Sequence, residues 1–503
     1  MGSTGDRARW AAVGRMALDL GEPMGTRSDA ELRGARIALG EQRATGQARE
    51  LTMAAARWSR LARADGWSLM FGEIALYAFV VLVATGVYLA VFFDPAMKRV
   101  AYYGSYAPLR GLPVSKAYES TLHLSFDVRG GLLMRQIHHW AALIFAAAVC
   151  LVLLRLFFTG AFRRPRGLTW LIWVTLLALG MAAGWTGTIL PDDMLSGGGL
   201  GLLQGVLLSI PVAGTHLTLW LFGGDVPGHQ IIPRLYWVHV LLVPAAMAGL
   251  FALARLLARR RSRTRAPGPA GSGRPGAFSN APLAASMAMF FATCGVLALL
   301  GTLAQINPVW LLGPYQPGAT TAGAVPDWYM GFLDGALRIM PGWEIDVAGH
   351  PLTLAVLVPA LIVPGAFFTL LAAYPLLERR FTGDQGLHYL PDRPRDAATR
   401  TAIGAAGITF YGLLWAAAAN DQIAYHLHLD LYTVTWFFRV AVFAGPPLAY
   451  ALAQRICLSL TSREQKEAEH GHKTGRIVMG PDGGFSEITE PAPRALEDSL
   501  HKP

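Results

Sequence analysis

Charge is what this sequence has least of. Only 15% of its 503 residues are charged, while 53% are hydrophobic and the mean hydropathy is +0.37. Soluble domains carry about 25% charged residues, so a soluble enzyme, a disordered chain and a coiled coil are all excluded. Cysteine is almost as scarce. Cys150, Cys294 and Cys457 lie far apart, with no CxxC. That excludes a disulfide framework, a cysteine-ligated zinc site, an iron–sulfur cluster and a CxxCH haem attachment within this chain. Histidine is missing from Trp140 to Thr215 and from Val240 to Gly349. The first 65 residues lack the apolar core of a signal peptide, so nothing predicts N-terminal cleavage.

Long apolar runs are present instead. Eight of them can cross the ~30 Å hydrocarbon core as helices: Ser68–Phe93, Leu132–Phe158, Leu168–Leu190, Tyr236–Leu257, Leu283–Gln305, Leu352–Leu376, Thr401–Ala419 and Leu431–Arg455. Two shorter pieces, Leu200–Ile210 and Leu217–Phe222, are broken by Gly, Pro and Ser and read as surface helices. The fold class is therefore all-α, a polytopic membrane protein. The formal charge of +10 sits mainly in even-numbered loops, at Arg163–Arg166, Arg259–Arg274 and Arg379–Arg400. By the positive-inside rule this places both termini in the cytoplasm and removes the need for nucleic acid as a partner. Lys98, Arg99, Arg110, Lys116 and Arg129 in the first outer loop run against the bias. The outer loops are long, rich in Gly, Pro and aromatics, and carry Asp192, Asp193, Asp225, Asp327 and Asp334. Long ordered loops carry function, so chemistry is expected at the outer face.

Three histidines fall within predicted spans: His138, His139 and His239. His138 and His239 lie at similar depth. Two such imidazoles can ligate a haem iron between helices, or bond to each other across the bundle. Gly72 and Gly86 return to within ~40° of one helix face, ~21 Å apart. Together with Gly187, they allow close approach of a flat ligand or of another helix.

These residues also resemble a known family. FGEIALYAF (Phe71–Phe79), DVRGGLLMRQIHHW (Asp127–Trp140), LPDDMLSGGGL (Leu190–Leu200), GDVPGHQIIPRLYWVH (Gly224–His239), VPDWYMGFLDG (Val325–Gly335) and FFRVAVFAGPPLAY (Phe437–Tyr450) are similar to cytochrome b of cytochrome bc complexes, actinobacterial type. The resemblance runs from about Trp67 to the C-terminus. It implies a four-helix haem-binding half (66–258) and a C-terminal four-helix half with the quinol-site loop (283–456). A basic N-terminal arm (1–65), an Arg/Pro/Gly linker (259–282) and a cytoplasmic tail (457–503) complete the chain. The resemblance makes His138 and His239 the axial ligands of the outer b haem, Arg135 a propionate partner, and Gly86 and Gly187 the glycines that make room for it. Gly199, Pro326, Asp327, Trp328 and Tyr329 become the outer quinol pocket, with Asp327 and Tyr329 as its reacting groups. It further implies a bacterial plasma-membrane subunit that oxidises menaquinol. A Rieske iron–sulfur protein and a c-type cytochrome are its implied partners, with dimerisation, surrounding lipid and a terminal oxidase beyond them.

One departure stands out. The family's second haem takes ligands about 14 residues beyond the first pair on the same helices. Those positions here are Val152 and Leu253, with Ala254 next, and Trp173 replaces a glycine of the third helix. One haem is therefore expected, at the outer site. The alternative to a quinol-oxidising subunit is a single-haem or non-catalytic paralogue serving as scaffold or quinone-binding subunit. A transporter fits less well, because the spans hold few paired charges.

Overall fold

The computed structural model describes residues 66–490, apart from 225–226, 262–280, 320–324, 348, 389–391, 480 and 482. The expected N-terminal arm, most of the linker, Asp225 and residues 491–503 of the tail lie outside the described residues. All that follows concerns the unit Ser68–Pro503 and the helix that enters it.

The apolar runs become helices because nothing inside them competes with the backbone ladder, and in a bilayer that ladder has to satisfy itself. The elements run α1 (Gly66–Phe92), a hairpin of β1 (Arg99–Ala101) with β2 (Pro113–Ser115), α2 (Lys116–Phe126), α3 (Gly131–Phe158), α4 (Gly167–Ile189), α5 (Met194–Leu208) and α6 (Gly214–Phe222). Next comes α7, built from Ile231–Trp237, a π turn at Val238–Leu242 and Val243–Arg261. The second half holds α8 (Ala281–Leu303), α9 (Gly331–Ile339) and the hairpin β3 (Glu344–Val347) with β4 (His350–Thr353). It continues with α10, Leu354–Thr382 with its own π turn at Val358–Ile362. Then come α11 (Ala398–Ala417), α12 (Asn420–Leu427), α13 (Leu431–His470) and a last hairpin, β5 (His472–Met479) with β6 (Phe485–Glu490).

Among the described residues seven helices are long and apolar enough to cross a membrane. An eighth is counted if α11 and α12, bent by 66° at their junction, form one span. The expected run Thr401–Ala419 thus ends in a break, and α5 and α6 occupy the two segments read as surface helices. The expected tail begins differently: α13 continues to His470, well beyond its apolar stretch. Side-chain caps start the helices that follow tight loops. Asp193 accepts from the Ser196 amide at 2.8 Å and Asp430 from Thr433 at 2.9 Å, each worth about 1 kcal/mol.

The core of the first half is a cluster on α1, α3, α4 and α7 that includes Phe79, Phe145, Val149, Trp170, Leu177, Met247 and Phe251. The two halves meet there and at the arginine-rich end. Trp170 Nε1 donates to the Leu371 carbonyl at 2.7 Å. Buried Arg400 pairs with Asp392 at 2.8 Å and Glu378 at 3.2 Å, and Arg163 of the α3–α4 loop joins the same Asp392.

Asp192 follows α4 in a left-handed conformation, φ 54°. It is 6% exposed, and its Oδ1 has no hydrogen-bond partner. Burial pushes this carboxyl from 3.8 up to about 6, against the pull of Ser115 and Arg99. A raised carboxyl stabilises the fold fully below pH ~4, and that contribution is lost as pH rises through ~6. At 1.36 kcal/mol per unit the loss is about 3 kcal/mol. Asp192→Asn tolerates the same backbone and cannot ionise. Thermal unfolding in detergent between pH 4 and 7 should show the wild type losing stability relative to the variant. Parallel curves would remove Asp192 from this role.

Candidate functional site

The site grows from a repeated dipeptide. Thr85-Gly86 on α1 faces His138 of α3, and Thr186-Gly187 on α4 faces His239 of α7. Thr85 Oγ1 gives its proton to the Val81 carbonyl at 2.7 Å and accepts from His138 Nδ1–H at 2.9 Å. His239 Nδ1–H donates to the Ala183 carbonyl at 2.9 Å, with Thr186 Oγ1 at 3.2 Å. Holding Nδ1 as donor leaves Nε2 of each ring as a lone pair, the arrangement that metal-ligating histidines use. A Cβ on Gly86 would stand 3.2 Å from His138 Cε1, and one on Gly187 2.7 Å from His239 Cε1. The glycines therefore seat the histidine rings. Thr85, which the sequence reading passed over, fixes the tautomer of His138; the Ala183 carbonyl, with Thr186 beside it, fixes that of His239.

The two ring centroids are 6.1 Å apart. An iron–nitrogen bond of about 2 Å plus about 1.1 Å from nitrogen to ring centre, counted for both ligands, gives roughly 6.2 Å. The pair thus has the spacing for one metal atom between its rings. Among the described residues no three His, Cys, Asp or Glu side chains gather as a metal site. A metal between these two rings would have two imidazole ligands, and a macrocycle would have to supply the rest. Arg135 supplies the complementary charge. It lines the same cavity, donates through Nη2 to the Asn307 carbonyl at 2.9 Å, and keeps a buried Nε with no partner. An unsatisfied guanidinium nitrogen beside the cavity suits a carboxylate of the ligand. These residues fit a b-type haem.

The cavity holds ≈ 1570 Å³ of empty space, its open mouth included. Asp193, Asp327 and Tyr329 line its other parts. Asp327 is tied at both oxygens: His139 Nε2–H donates to Oδ1 at 2.8 Å and the Tyr329 hydroxyl to Oδ2 at 2.8 Å. Burial first, then the Asp327 charge, push the Tyr329 phenol above its ordinary range, so it stays a neutral donor. Its hydroxyl sits where a Cβ on Gly184 would be. Tyr329 also walls a second cavity, of ≈ 700 Å³, lined by Cys150, Met181, Trp328, Phe332, Phe367 and Trp415 among others. Pro326 and Gly199 line neither cavity. Gly199 lies against Ile189 and Trp185.

Deeper in the bundle, at the level of the departure, the space is filled. A Cβ on Gly72 would meet the Trp173 ring at 3.3 Å, so this glycine makes room for an indole. Trp173 stands edge-on to Phe251 at 6.1 Å, and Phe251 stacks on Phe79 at 5.3 Å. Val152 is 2% exposed, whereas Leu253 is 37% exposed and turned away from the core. Ala254 packs against the core in its place. The π turn at Val238–Leu242 adds a residue between His239 and this level, so the spacing of 14 holds on α3 and becomes 15 on α7. Neither Leu253 nor Ala254 carries a metal ligand.

Comparison with known proteins identifies the family. Residues 143–314 match the family model described as cytochrome b (N-terminal)/b6/petB. The cytochrome b subunit of the cytochrome bc1 complex of Streptomyces coelicolor is 46% identical over 442 residues, 87% of this chain and 80% of that protein. Its counterpart in Mycobacterium tuberculosis is 48% identical over 429 residues, 84% of this chain and 78% of that one. A solved chain of a hyperthermophilic respiratory complex III aligns with a TM-score of 0.56 at 19% identity, covering 77% of this chain and 91% of its own, and shares the fold. With nearly half its residues shared along most of both sequences, this multi-pass protein of the bacterial plasma membrane belongs to the cytochrome b subunits of bc1 complexes.

Proposed function

We propose that the chain oxidises a quinol, menaquinol by the resemblance, at the expected outer end of the bundle and holds one b haem between His138 and His239. It would work beside a Rieske iron–sulfur protein and a c-type cytochrome. What carries this reading is one continuous cavity with a bis-imidazole pair on one wall and the Asp327–Tyr329 pair on another. The haem, when bound, supplies a one-electron acceptor. The chain's own residues do the rest. The aromatic cavity beyond Tyr329 shapes a flat, water-poor seat for the quinol ring. Asp327 can take a hydroxyl proton once the quinol hydroxyl displaces Tyr329 from Oδ2, because a carboxylate with both oxygens occupied is a poor base. Arg135, with a buried Nε that has no hydrogen-bond partner, would pair with a haem carboxylate.

A second reading is supported by the filled inner half. With Trp173, Phe251 and Val152 packed there, the second electron of each quinol has no inward route within this chain. Such a chain would serve as a single-haem or scaffold paralogue. Asp327→Asn separates the two. If Asp327 is the base, kcat for quinol oxidation in the reconstituted complex falls about 10²–10⁴-fold with little change in KM. Unchanged turnover removes Asp327 from the chemistry. An inactive wild type favours the scaffold.

A further inference from the structure

We infer that His139 is the positioning residue for Asp327, the rigid anchor that holds the carboxylate of the quinol-site loop in its working orientation. The inference rests on the quinol reading above, but its geometry stands on its own. Asp327 and His139 are both largely buried, 7% and 13% exposed, and their contact joins residues 188 positions apart. Tyr329, the other donor to Asp327, belongs to the same short loop and moves with it. His139 belongs to α3, whose neighbouring residue His138 carries the proposed ligand.

Successive helical residues project about 100° apart. One turn of α3 therefore presents one imidazole to the haem cavity and the next to the loop. This division explains why two adjacent histidines occur where a single one would ligate. His138 is held through Nδ1 by Thr85 and offers Nε2 to the cavity. His139 instead commits Nε2 to Asp327 and offers the cavity's metal position nothing. The Nε2–H bond fixes Oδ1 against the helix and turns Oδ2 toward Tyr329, whose hydroxyl lies on the wall shared by the two cavities. Without His139 the carboxylate has only a local partner and can rotate with it. A proton acceptor misplaced by about 1 Å costs on the order of 10²-fold in rate.

The test is a pair of amides that differ by one methylene. Glutamine can bring an N–H to the place of Nε2, and asparagine falls short of it. In the assembled complex, H139Q should keep most of the wild-type kcat. H139N and H139L should lose about 10²-fold with KM nearly unchanged. The haem absorption spectrum, set by His138 and His239, should be the same in all of them. A second readout does not depend on turnover. The infrared carboxylate band of Asp327, identified by its disappearance in D327N, should shift in H139N and hold in H139Q. Equal kcat for H139N and H139Q, or an unmoved band, overturns the proposal. If the wild type oxidises no quinol yet the band shifts in H139N alone, the quinol reading fails and the anchor stands. Should H139L fail to assemble, the asparagine–glutamine comparison decides.

Discussion

Purified complex should contain one b haem per copy of this chain, measured as pyridine haemochrome against amino-acid analysis. Position after position at the inner level argues for it. Val152 offers no lone pair where α3 would need a ligand. The π turn brings Ala254 to the matching level of α7, and it offers none either. Gly72, which could admit a porphyrin edge, is filled by the Trp173 ring. Phe251 is packed by Trp173, Phe79 and Phe145. A ratio near two would mean that other residues ligate a second iron. A ratio near zero would make even His138 and His239 vestigial. The sharper form restores what is missing: Val152→His, Ala254→His and Trp173→Gly together should raise the ratio toward two. Leu253→His in place of Ala254→His should not, because position 253 faces away from the core.

Replacing His138 or His239 with alanine should abolish the low-spin haem spectrum outright. The rings stand 6.1 Å apart with both Nδ1 atoms already engaged, so each has one nitrogen left to coordinate a metal. Losing a hydrogen-bond partner behind a metal ligand typically costs about 10–100-fold in affinity. Thr85→Val should fall in that range, Thr186→Val should cost less because the Ala183 carbonyl still holds His239 Nδ1, and removal of the ring itself should exceed both. Difference spectra of membranes carrying each variant give the ranking. Alanine variants with full low-spin spectra would refute the assignment, and threonine variants as damaging as the alanines would show that the rings are held by more than their iron.

Much of the architecture was legible because it is local. Runs such as Leu132–Phe158 state their own length and apolarity, and the helices follow them closely. The histidine pair was legible from matched depth, and the glycines from their spacing. What escaped was long-range or irregular. The π turn in α7 left no clear mark in the sequence, so Leu253 was read where Ala254 packs. The 66° break between α11 and α12 falls at the end of the run read as Thr401–Ala419, and α12 beyond it was not read as a helix. His139 meets Asp327, and Arg135 meets the Asn307 carbonyl, across more than 170 residues, and no periodicity encodes such contacts. The repeated Thr-Gly dipeptide was the signal available in the sequence for the threonines that stand beside the two rings. Its two copies stand the same 53 residues ahead of their histidines.

The indole in the notch of Gly72 also bears on energy transduction. Moving one elementary charge across a bilayer at 100 mV is worth about 2.3 kcal/mol. On the single-haem reading, with Trp173 and Phe251 filling the inner half of the bundle, an electron released at the other end would stay there, and turnover would carry no charge through the low-dielectric layer. Its rate should then be blind to membrane voltage. Any free energy it conserves would appear only as protons delivered to one side.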